Sequence, residues 1–235
     1  MLARRGTRGG RRLRRWLRRA LWVLIALIAL PHLLLLFYRL VPPPLTPLMV
    51  MRLTEGAGLS KDWVPLDGIA SSLPEAVIAA EDNRFCEHHG VDWTEMQAAV
   101  GDYWESDRVR GASTITMQTV KNLVLWPGRD MFRKGIEIYL AHYVEIIWPK
   151  RRIIEVYLNV AEWGPGVYGA EAAAQRYFGK PASRLSHGES ALLAATLPNP
   201  RRWRPDRPTA YISNRAASIR RRTGQLGPLL DCIRI

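Results

Sequence analysis

An 18-residue apolar segment near the N-terminus constrains the fold of this chain more than any other feature. Residues Leu21–Tyr38 are apolar apart from His32, and Pro31 interrupts the segment near its middle. The length is at the short end of the about 17–25 residues that a helix needs to cross a bilayer core. A buried helix of a soluble protein rarely has apolar residues on every side directly after an arginine cluster. The sequence therefore predicts one transmembrane helix, followed by a domain outside the membrane.

The arginines around this segment predict its orientation. Residues 1–19 contain nine Arg and no acidic residue, whereas the segment after the span begins with Arg39 and then prolines. Positive charge collects on the cytoplasmic side of membrane proteins. A cleaved signal peptide would show a similar pattern, but no small-residue cleavage site follows Tyr38. We expect an uncleaved anchor in a bacterial inner membrane, with a cytoplasmic N-terminus and a periplasmic domain.

Most of the positive charge lies at the two ends of the chain. The total is +13, of which residues 1–19 carry +9 and residues 201–235 carry +7, so residues 20–200 carry −3. A nucleic-acid binder would have basic and aromatic residues interspersed through its folded domain. We therefore expect no nucleic-acid partner, although a membrane-tethered basic scaffold stays an alternative. Residues Arg201 to Arg222 are predicted to form a terminal helix that packs on the domain and presents arginines to anionic lipid headgroups.

The pattern along the chain predicts a mainly α fold in five parts. These are a basic N-terminus (1–20), the anchor (21–38), a Pro-rich linker (39–50), a globular domain (51–200) and a basic C-terminal helix and tail (201–235). Apolar periodicity, with proline and glycine as stop signals, predicts helices over Leu73–Asp82, Trp93–Trp104, Thr114–Leu125, Met131–Trp148, Lys150–Asn159, Gly169–Phe178 and His187–Leu197. Capping boxes are predicted at Ser72 with Glu75 and at Ser186 with Glu189. The weak strand candidates are Leu48–Leu53 and Trp63–Leu66.

Two cysteines, Cys86 and Cys232, are too far apart in sequence to suggest a metal site. An exported domain would permit a disulfide between them. Their separation in sequence does not give their distance in the fold, so the sequence leaves open whether a disulfide forms. It favours two free thiols.

Adjacent carboxylates, Glu81 and Asp82, stand at the predicted end of a helix. The partial negative charge of a helix C-terminus disfavours acidic residues there unless another interaction compensates. The simplest interpretation is a solvated helix end paired with Arg84. The sequence that follows favours a functional role.

Two further helices carry polar residues in patterns that suit an anion. Residues Gly111–Asn122 form a small-residue turn and a helix on which Thr114, Gln118 and Lys121 share one face. Hydroxyls at a helix N-terminus with a nearby lysine are suited to binding phosphate, although capping by Ser113 or Thr114 would also explain the hydroxyls. In the helix from Met131, Arg133 and Glu137 stand four residues apart, which alone indicates only an ordinary ion pair.

Five motifs in order connect these features. They read E-D-x-x-F-x-x-H-x-G from Glu81, G-A-S-T-I-T-M-Q-x-x-K-N from Gly111, R-K-x-x-E-x-x-x-A-x-x-x-E from Arg133, I-I-E-x-Y-L-N-x-x-x-x-G-x-G-x-x-G from Ile153 and E-S-A-L-L-A-A-T-L-P-N-P from Glu189. Together they resemble the ordered motifs of the peptidoglycan glycosyltransferases, glycosyltransferase family 51. The resemblance covers about Trp63 to Pro200. Since little chain follows, we expect no transpeptidase domain, as in the monofunctional biosynthetic transglycosylases.

This resemblance implies a lysozyme-like, mainly α domain with a small mobile jaw near the membrane. It implies a reaction that polymerises lipid II, with inversion at the anomeric carbon and release of undecaprenyl diphosphate. The expected partners are lipid II, the growing glycan strand, the inner membrane and a cell-wall synthesis complex. No organic cofactor is implied, whereas a divalent metal, Mg²⁺ or Mn²⁺, is compatible with the reaction.

The resemblance also assigns roles to residues. Glu81 corresponds to the catalytic base, because an alcohol needs its proton removed before it attacks. Lys121 and Arg133 correspond to the cations that bind the diphosphate. Glu137, the second catalytic acid, would orient these cations or hold the metal. Residues that match the donor-site lining are Ser113, Thr114, Gln118 and Asn122; supporting positions are Asp82, Phe85 and His88, with Phe85 expected in the core.

A lysozyme-like peptidoglycan hydrolase is the nearest alternative, since it too would use a glutamate at a helix end. Lys121 and Arg133 favour the synthase, because hydrolysis of a neutral sugar linkage needs no diphosphate site. We further expect that deletion of Leu226–Ile235 has almost no effect.

Overall fold

The N-terminal helix is longer than the apolar segment that predicts it. The computed structural model describes residues 8–106, 111–128 and 130–233, so the first seven residues of the basic N-terminus and the last two of the tail lie outside the described part. Helix α1 runs over Arg8–Tyr38 and includes Pro31. Its segment Arg12–Tyr38 is long and apolar enough to span a membrane. Arginine is a good helix former, which explains why the helix continues into the basic cluster.

The segment after the anchor contains a helix where the sequence suggested linker and strand. Helix α2 spans Pro47–Thr54, and the Thr46 side chain accepts a hydrogen bond from the Met49 backbone N–H. The strand prediction for Leu48–Leu53 is therefore wrong. A short apolar run does not distinguish a strand from a helix. The signal for a helix start was Thr46, directly before a proline at the first helical position.

Eight helices follow in the described part of the chain, and seven of them are confirmed to within two residues at each end. The eighth, α10, was predicted from Arg201 but begins only at Ala210, after Pro205 and Pro208. They are α3 (Ser72–Glu81), α4 (Trp93–Ser106), α5 (Ile115–Val124), α6 (Met131–Ile147), α7 (Lys150–Val160), α8 (Ala170–Phe178), α9 (His187–Thr196) and α10 (Ala210–Leu226). Short 3₁₀ turns lie at Leu66–Gly68, Ala182–Arg184 and Gly227–Leu230. The mainly α fold class is confirmed.

One predicted capping box is present and the other is not. Ser186 and Glu189 exchange both bonds at the start of α9. At α3 the capping box is wrong, because the helix already includes Ser72, whose hydroxyl lies 2.8 Å from the Ser190 hydroxyl. The buried Ser72 therefore joins α3 to α9 instead of capping its own helix.

A small sheet was not predicted. Its strands are β1 (Ser60–Lys61), β2 (Glu162–Gly164) and β3 (Val167–Tyr168), in the order β1-β3-β2, with β1 parallel and β2 antiparallel to β3. The predicted strand Trp63–Leu66 is not part of it. Strands of two or three residues are too short for an alternating pattern to be visible. At the β2–β3 turn, Gly166 has φ +70° and a Cβ there would lie 2.2 Å from the Ala57 carbonyl oxygen, so this turn requires glycine.

The core lies between two groups of helices. Helix α3 packs against α9 and α10, and α5 packs between α6 and α7. Among the largest fully buried side chains are Trp163, Tyr157, Tyr168 and Phe85. Helix α10 thus packs on the domain as predicted.

The C-terminal tail is part of the core. Cys86, just after α3, forms a disulfide with Cys232, with the two Cα atoms 5.5 Å apart. The prediction of free thiols is therefore wrong, since a separation of 146 residues in sequence says nothing about distance in the fold. Leu226, Leu230 and Ile233 are buried, which argues against the expectation that this tail can be deleted without effect.

Candidate active site

Glu81 and the residue after it end helix α3 at the edge of a cleft of about 430 Å³. The cleft walls come from the end of α3, the turn before α5, helix α5 itself and α10. Among the lining residues are Glu81, Asp82, Ser113, Thr114, Gln118, Arg215 and Arg222. The fold therefore joins three of the five sequence motifs, the third through Pro198, with a helix that lies beyond all of them.

The Glu81 carboxylate is held from two sides. Gln118 Nε2 donates to Glu81 Oε2 at 3.0 Å, and Arg215 Nη2 lies 3.9 Å from Oε1. Burial raises the pKa of Glu81 above its usual value, while Gln118, Arg215 and Lys121 oppose this rise. The main cause is thus desolvation, and the neighbouring Asp82 contributes least. The site favours a carboxylate that is a stronger base than a solvated glutamate.

Asp82 connects the end of α3 to the beginning of α5. Its Oδ2 accepts a hydrogen bond from the Ile115 backbone N–H at 2.9 Å, and His88 Nε2 lies 2.9 Å from its Oδ1. A carboxylate at a helix N-terminus is stabilised by the helix dipole. Phe85 is fully buried, as expected for a core residue. The structure thus gives Asp82 and His88 the geometry of residues that position the loop after Glu81.

A second carboxylate, Glu137 on α6, organises a group of cations. Arg133 Nη1 donates to Glu137 Oε2 at 2.5 Å, and Lys134 Nζ donates to Oε1 at 2.8 Å. Lys134 Nζ also donates to the Ser113 hydroxyl at 2.7 Å, which brings the group to the cleft wall. Glu137 is only 2% exposed. This group of residues, called here the α6 cation group, consists of Arg133, Lys134 and Glu137.

Lys121 on α5 interacts electrostatically with both the α6 cation group and Glu81. Burial is the largest cause that lowers its pKa, and Arg133 and Lys134 lower it further. Glu137 and Glu81 both raise the pKa of Lys121, so its ammonium interacts with both carboxylates. The structure therefore brings together Glu81, Lys121, Arg133 and Glu137, as the sequence predicts.

The remaining predicted lining residues differ in their positions. Thr114 Oγ1 accepts from the Met117 backbone N–H and donates to the Gly90 carbonyl at 2.6 Å, so the capping interpretation applies to this residue. Gln118 binds Glu81 directly and accepts from Tyr157 Oη at 3.2 Å. Asn122 is half-buried, one turn beyond Gln118 on α5, and is not among the residues that line the cleft in the described part of the chain.

Sequence reasoning missed several residues of the site. Arg215 and Arg222 on α10 line the cleft, and their seven-residue spacing, two helical turns, places them on one face. These two arginines therefore lie at the cleft, whereas the contact of this segment with lipid headgroups stays a prediction. The i, i+7 spacing was a visible signal, but only the fold shows that this face meets Glu81. Lys134 and Tyr157 belong to the third and fourth motifs, but the sequence assigned neither of them a role in the site.

The described residues do not form a metal site on their own. No group of three or more His, Cys, Asp or Glu side chains that could hold a metal occurs within them. Both Glu137 oxygens already accept hydrogen bonds from cationic side chains. A divalent metal at Glu137 therefore stays a prediction, which glycan synthesis with and without a chelator would test.

Comparison with known proteins agrees with this geometry. A family model described as transglycosylase matches residues 49–223. A biosynthetic peptidoglycan transglycosylase of Rhodospirillum centenum is 58% identical over 209 residues, which cover 88% of this chain and 90% of that protein. The proteins of the same name from Caulobacter vibrioides and Bdellovibrio bacteriovorus are 47% identical (95% of this chain, 99% of that protein) and 49% identical (92% and 88%). The chain belongs to the transglycosylase family, with its lysozyme-like domain, and is a peptidoglycan glycosyltransferase that polymerises glycan strands.

Proposed function

We propose that this enzyme transfers the growing glycan strand from undecaprenyl diphosphate to the 4-hydroxyl of lipid II, with inversion at the anomeric carbon. The observation that carries this proposal is the position of Glu81, a largely buried carboxylate at a cleft lined by two arginines of α10, where Lys121 interacts both with it and with the α6 cation group. Such a site serves a reaction in which a hydroxyl loses a proton while an anionic leaving group departs.

Glu81 acts as the general base in this scheme. Its pKa is raised by burial, which strengthens it as a base, while Lys121 and Arg215 favour the ionised form that must accept the proton. Gln118 fixes one carboxylate oxygen through its side-chain amide. The acceptor hydroxyl therefore meets a carboxylate whose position is already defined.

The α6 cation group and Lys121 stabilise the leaving diphosphate. Negative charge grows on the diphosphate as the glycosidic bond breaks, and cations placed in advance lower the barrier. Glu137 holds Arg133 and Lys134 by hydrogen bonds, so its role is to position these cations. We assign Arg215 and Arg222, which line the same cleft, to a second anion, for which the diphosphate of the acceptor lipid II is the natural candidate.

Two independent features support a periplasmic location for the domain. Arginines precede the apolar segment of α1, which predicts a cytoplasmic N-terminus. The Cys86–Cys232 disulfide is a bond that persists in the periplasm and rarely in the cytoplasm. We propose that α1 spans the inner membrane once and that the domain faces the periplasm. Protease protection in spheroplasts tests this, since a protected domain would contradict it. Membership of a cell-wall synthesis complex stays a prediction.

The substrate decides between this proposal and a hydrolase. Purified full chain is incubated separately with lipid II and with finished peptidoglycan, and the glycan products are separated by size. We expect β-linked polymer from lipid II and no change in the finished material. Consumption of the finished peptidoglycan alone would overturn the proposal.

A further inference from the structure

His32 is the one polar residue of the predicted membrane anchor, and the site described above does not use it. Ionisable residues within a membrane span are costly and usually have a partner and a function. His32 Nδ1 lies 2.7 Å from the Ile28 carbonyl oxygen, and Nε2 lies 3.1 Å from Tyr139 Oη. A carbonyl only accepts, so Nδ1 donates to it, and Nε2 of the neutral ring accepts the Tyr139 hydroxyl proton.

The contact between α1 and the domain extends beyond this bond. The His32 ring packs edge-on against Tyr143, with the ring centroids 4.7 Å apart. Leu35 is fully buried, and its carbonyl accepts a hydrogen bond from Trp148 Nε1 at 2.9 Å. Arg152 donates to the Tyr38 carbonyl at 2.8 Å. The last turns of α1 are therefore docked on the domain, and the anchor is not a free tether.

Helix α6 carries the His32 partners and the α6 cation group on different faces. Glu137 and Tyr139 are two residues apart, which separates them by roughly 200° around the helix axis. Helix α6 packs chiefly on α5 and makes a smaller contact with α1. At its N-terminal end Met131 and Phe132 are 86% and 75% exposed, so the end nearest Arg133 gains little support from the core. The contact with α1 is thus a second support of α6, after its packing on α5.

We propose that His32 is a positioning residue for glycosyl transfer. Through Tyr139 and Tyr143 it fixes α6, and hence the distance between the α6 cation group and Glu81. This inference rests on the function proposed for that group. A helix that shifts by about 1 Å at such a site lowers the rate strongly, because the reacting groups no longer meet in the required geometry.

The test uses the full chain in proteoliposomes with lipid II, and measures kcat and KM separately. His32→Ala is expected to lower kcat roughly tenfold with little change in KM, since α6 acts on the departing diphosphate. Leu33→Ala is the matched control, because Leu33 is the next residue and is 61% exposed. We expect its kcat to equal that of the unsubstituted enzyme. His32→Gln, whose amide oxygen accepts the same proton, is expected to restore most of the loss.

Tyr139→Phe keeps the ring and removes only the hydroxyl, so it preserves folding and tests the bond itself. We expect it to lower kcat in the same direction, and the double variant with His32→Ala to be no slower than His32→Ala alone. Unchanged kcat in both single variants, or fully multiplicative losses in the double variant, would overturn the proposal. The two proposals fail in different ways. If the proposed function is wrong, Glu81→Gln stays active. If only the role of His32 is wrong, His32→Ala stays active while Glu81→Gln is inactive.

Discussion

Glu81 and the α6 cation group are supported in different ways. Glu81 ends α3, whose residues from Ser72 to Ala79 are mostly buried against α9 and α10. The α6 cation group lies on a helix with exposed apolar residues at both ends, Met131 and Ile146 among them. The base is therefore fixed by the core, whereas the diphosphate site depends on a few specific bonds. Four changes test this difference, from the largest expected effect to the smallest.

The largest of these effects is expected from Glu137→Gln. The substitution keeps the shape of the side chain but removes the charge that holds Arg133 and Lys134, so the two cations repel each other and Lys121. We expect kcat on lipid II to fall by about 10²–10³-fold, as for loss of one transition-state contact. Glu55→Gln, in an exposed ion pair with Arg52, is the control and should stay active. Equal activity of the two variants would contradict the role of Glu137.

The disulfide is expected to stabilise the half of the molecule that carries Glu81. Cys232→Ser removes a bond that closes a loop of 146 residues between the segment after α3 and the tail. We expect the free energy of unfolding to fall by about 2–5 kcal/mol, measured by denaturant unfolding with tryptophan fluorescence. Cys86→Ser should give the same value, and the double variant no further loss. An unchanged unfolding midpoint in the single variants would show that the bond does not stabilise this half.

Arg215→Gln is expected to change the pH dependence of the reaction. Arg215 lowers the pKa of Glu81, so its removal raises that pKa, and Glu81 is then protonated at higher pH. The acid limb of the profile of kcat/KM against pH should move to higher pH. The value of kcat/KM should fall several-fold near neutral pH and less at alkaline pH. Arg220→Gln, an exposed neighbour on α10, should leave the profile unchanged. A shift towards lower pH would show that Glu81 is not the titrating base.

The smallest effect is expected at a helix start remote from the cleft. Ser186→Ala removes the side-chain part of the capping box of α9, the helix that supports α3. We expect a loss of about 1 kcal/mol in the free energy of unfolding, with kcat unchanged. A large loss of activity without a loss of stability would mean that core packing alone does not fix the position of Glu81.

Local signals predicted most of the helices, because proline, glycine and capping residues mark their ends along the chain. The resemblance of the five motifs to a known family, rather than any single local signal, predicted Glu81, Lys121, Arg133 and Glu137. What the local signals could not predict depends on contacts between distant segments. The Cys86–Cys232 bond and the approach of Arg215 to Glu81 join α3 to parts of the chain more than 130 residues away. The two-residue strand β1 likewise exists only because β3 pairs with it.

The central claim is that the Glu81 carboxylate accepts the proton of the attacking hydroxyl. The most direct measurement is the rate of glycan synthesis from lipid II by Glu81→Gln, with Glu87→Gln as the control. Glu87 is a glutamate of the same loop that pairs with Arg84 at the surface. We predict a loss of about 10²–10⁴-fold for Glu81→Gln, the usual contribution of a general base, and normal activity for Glu87→Gln. Normal glycan synthesis by Glu81→Gln would contradict the account.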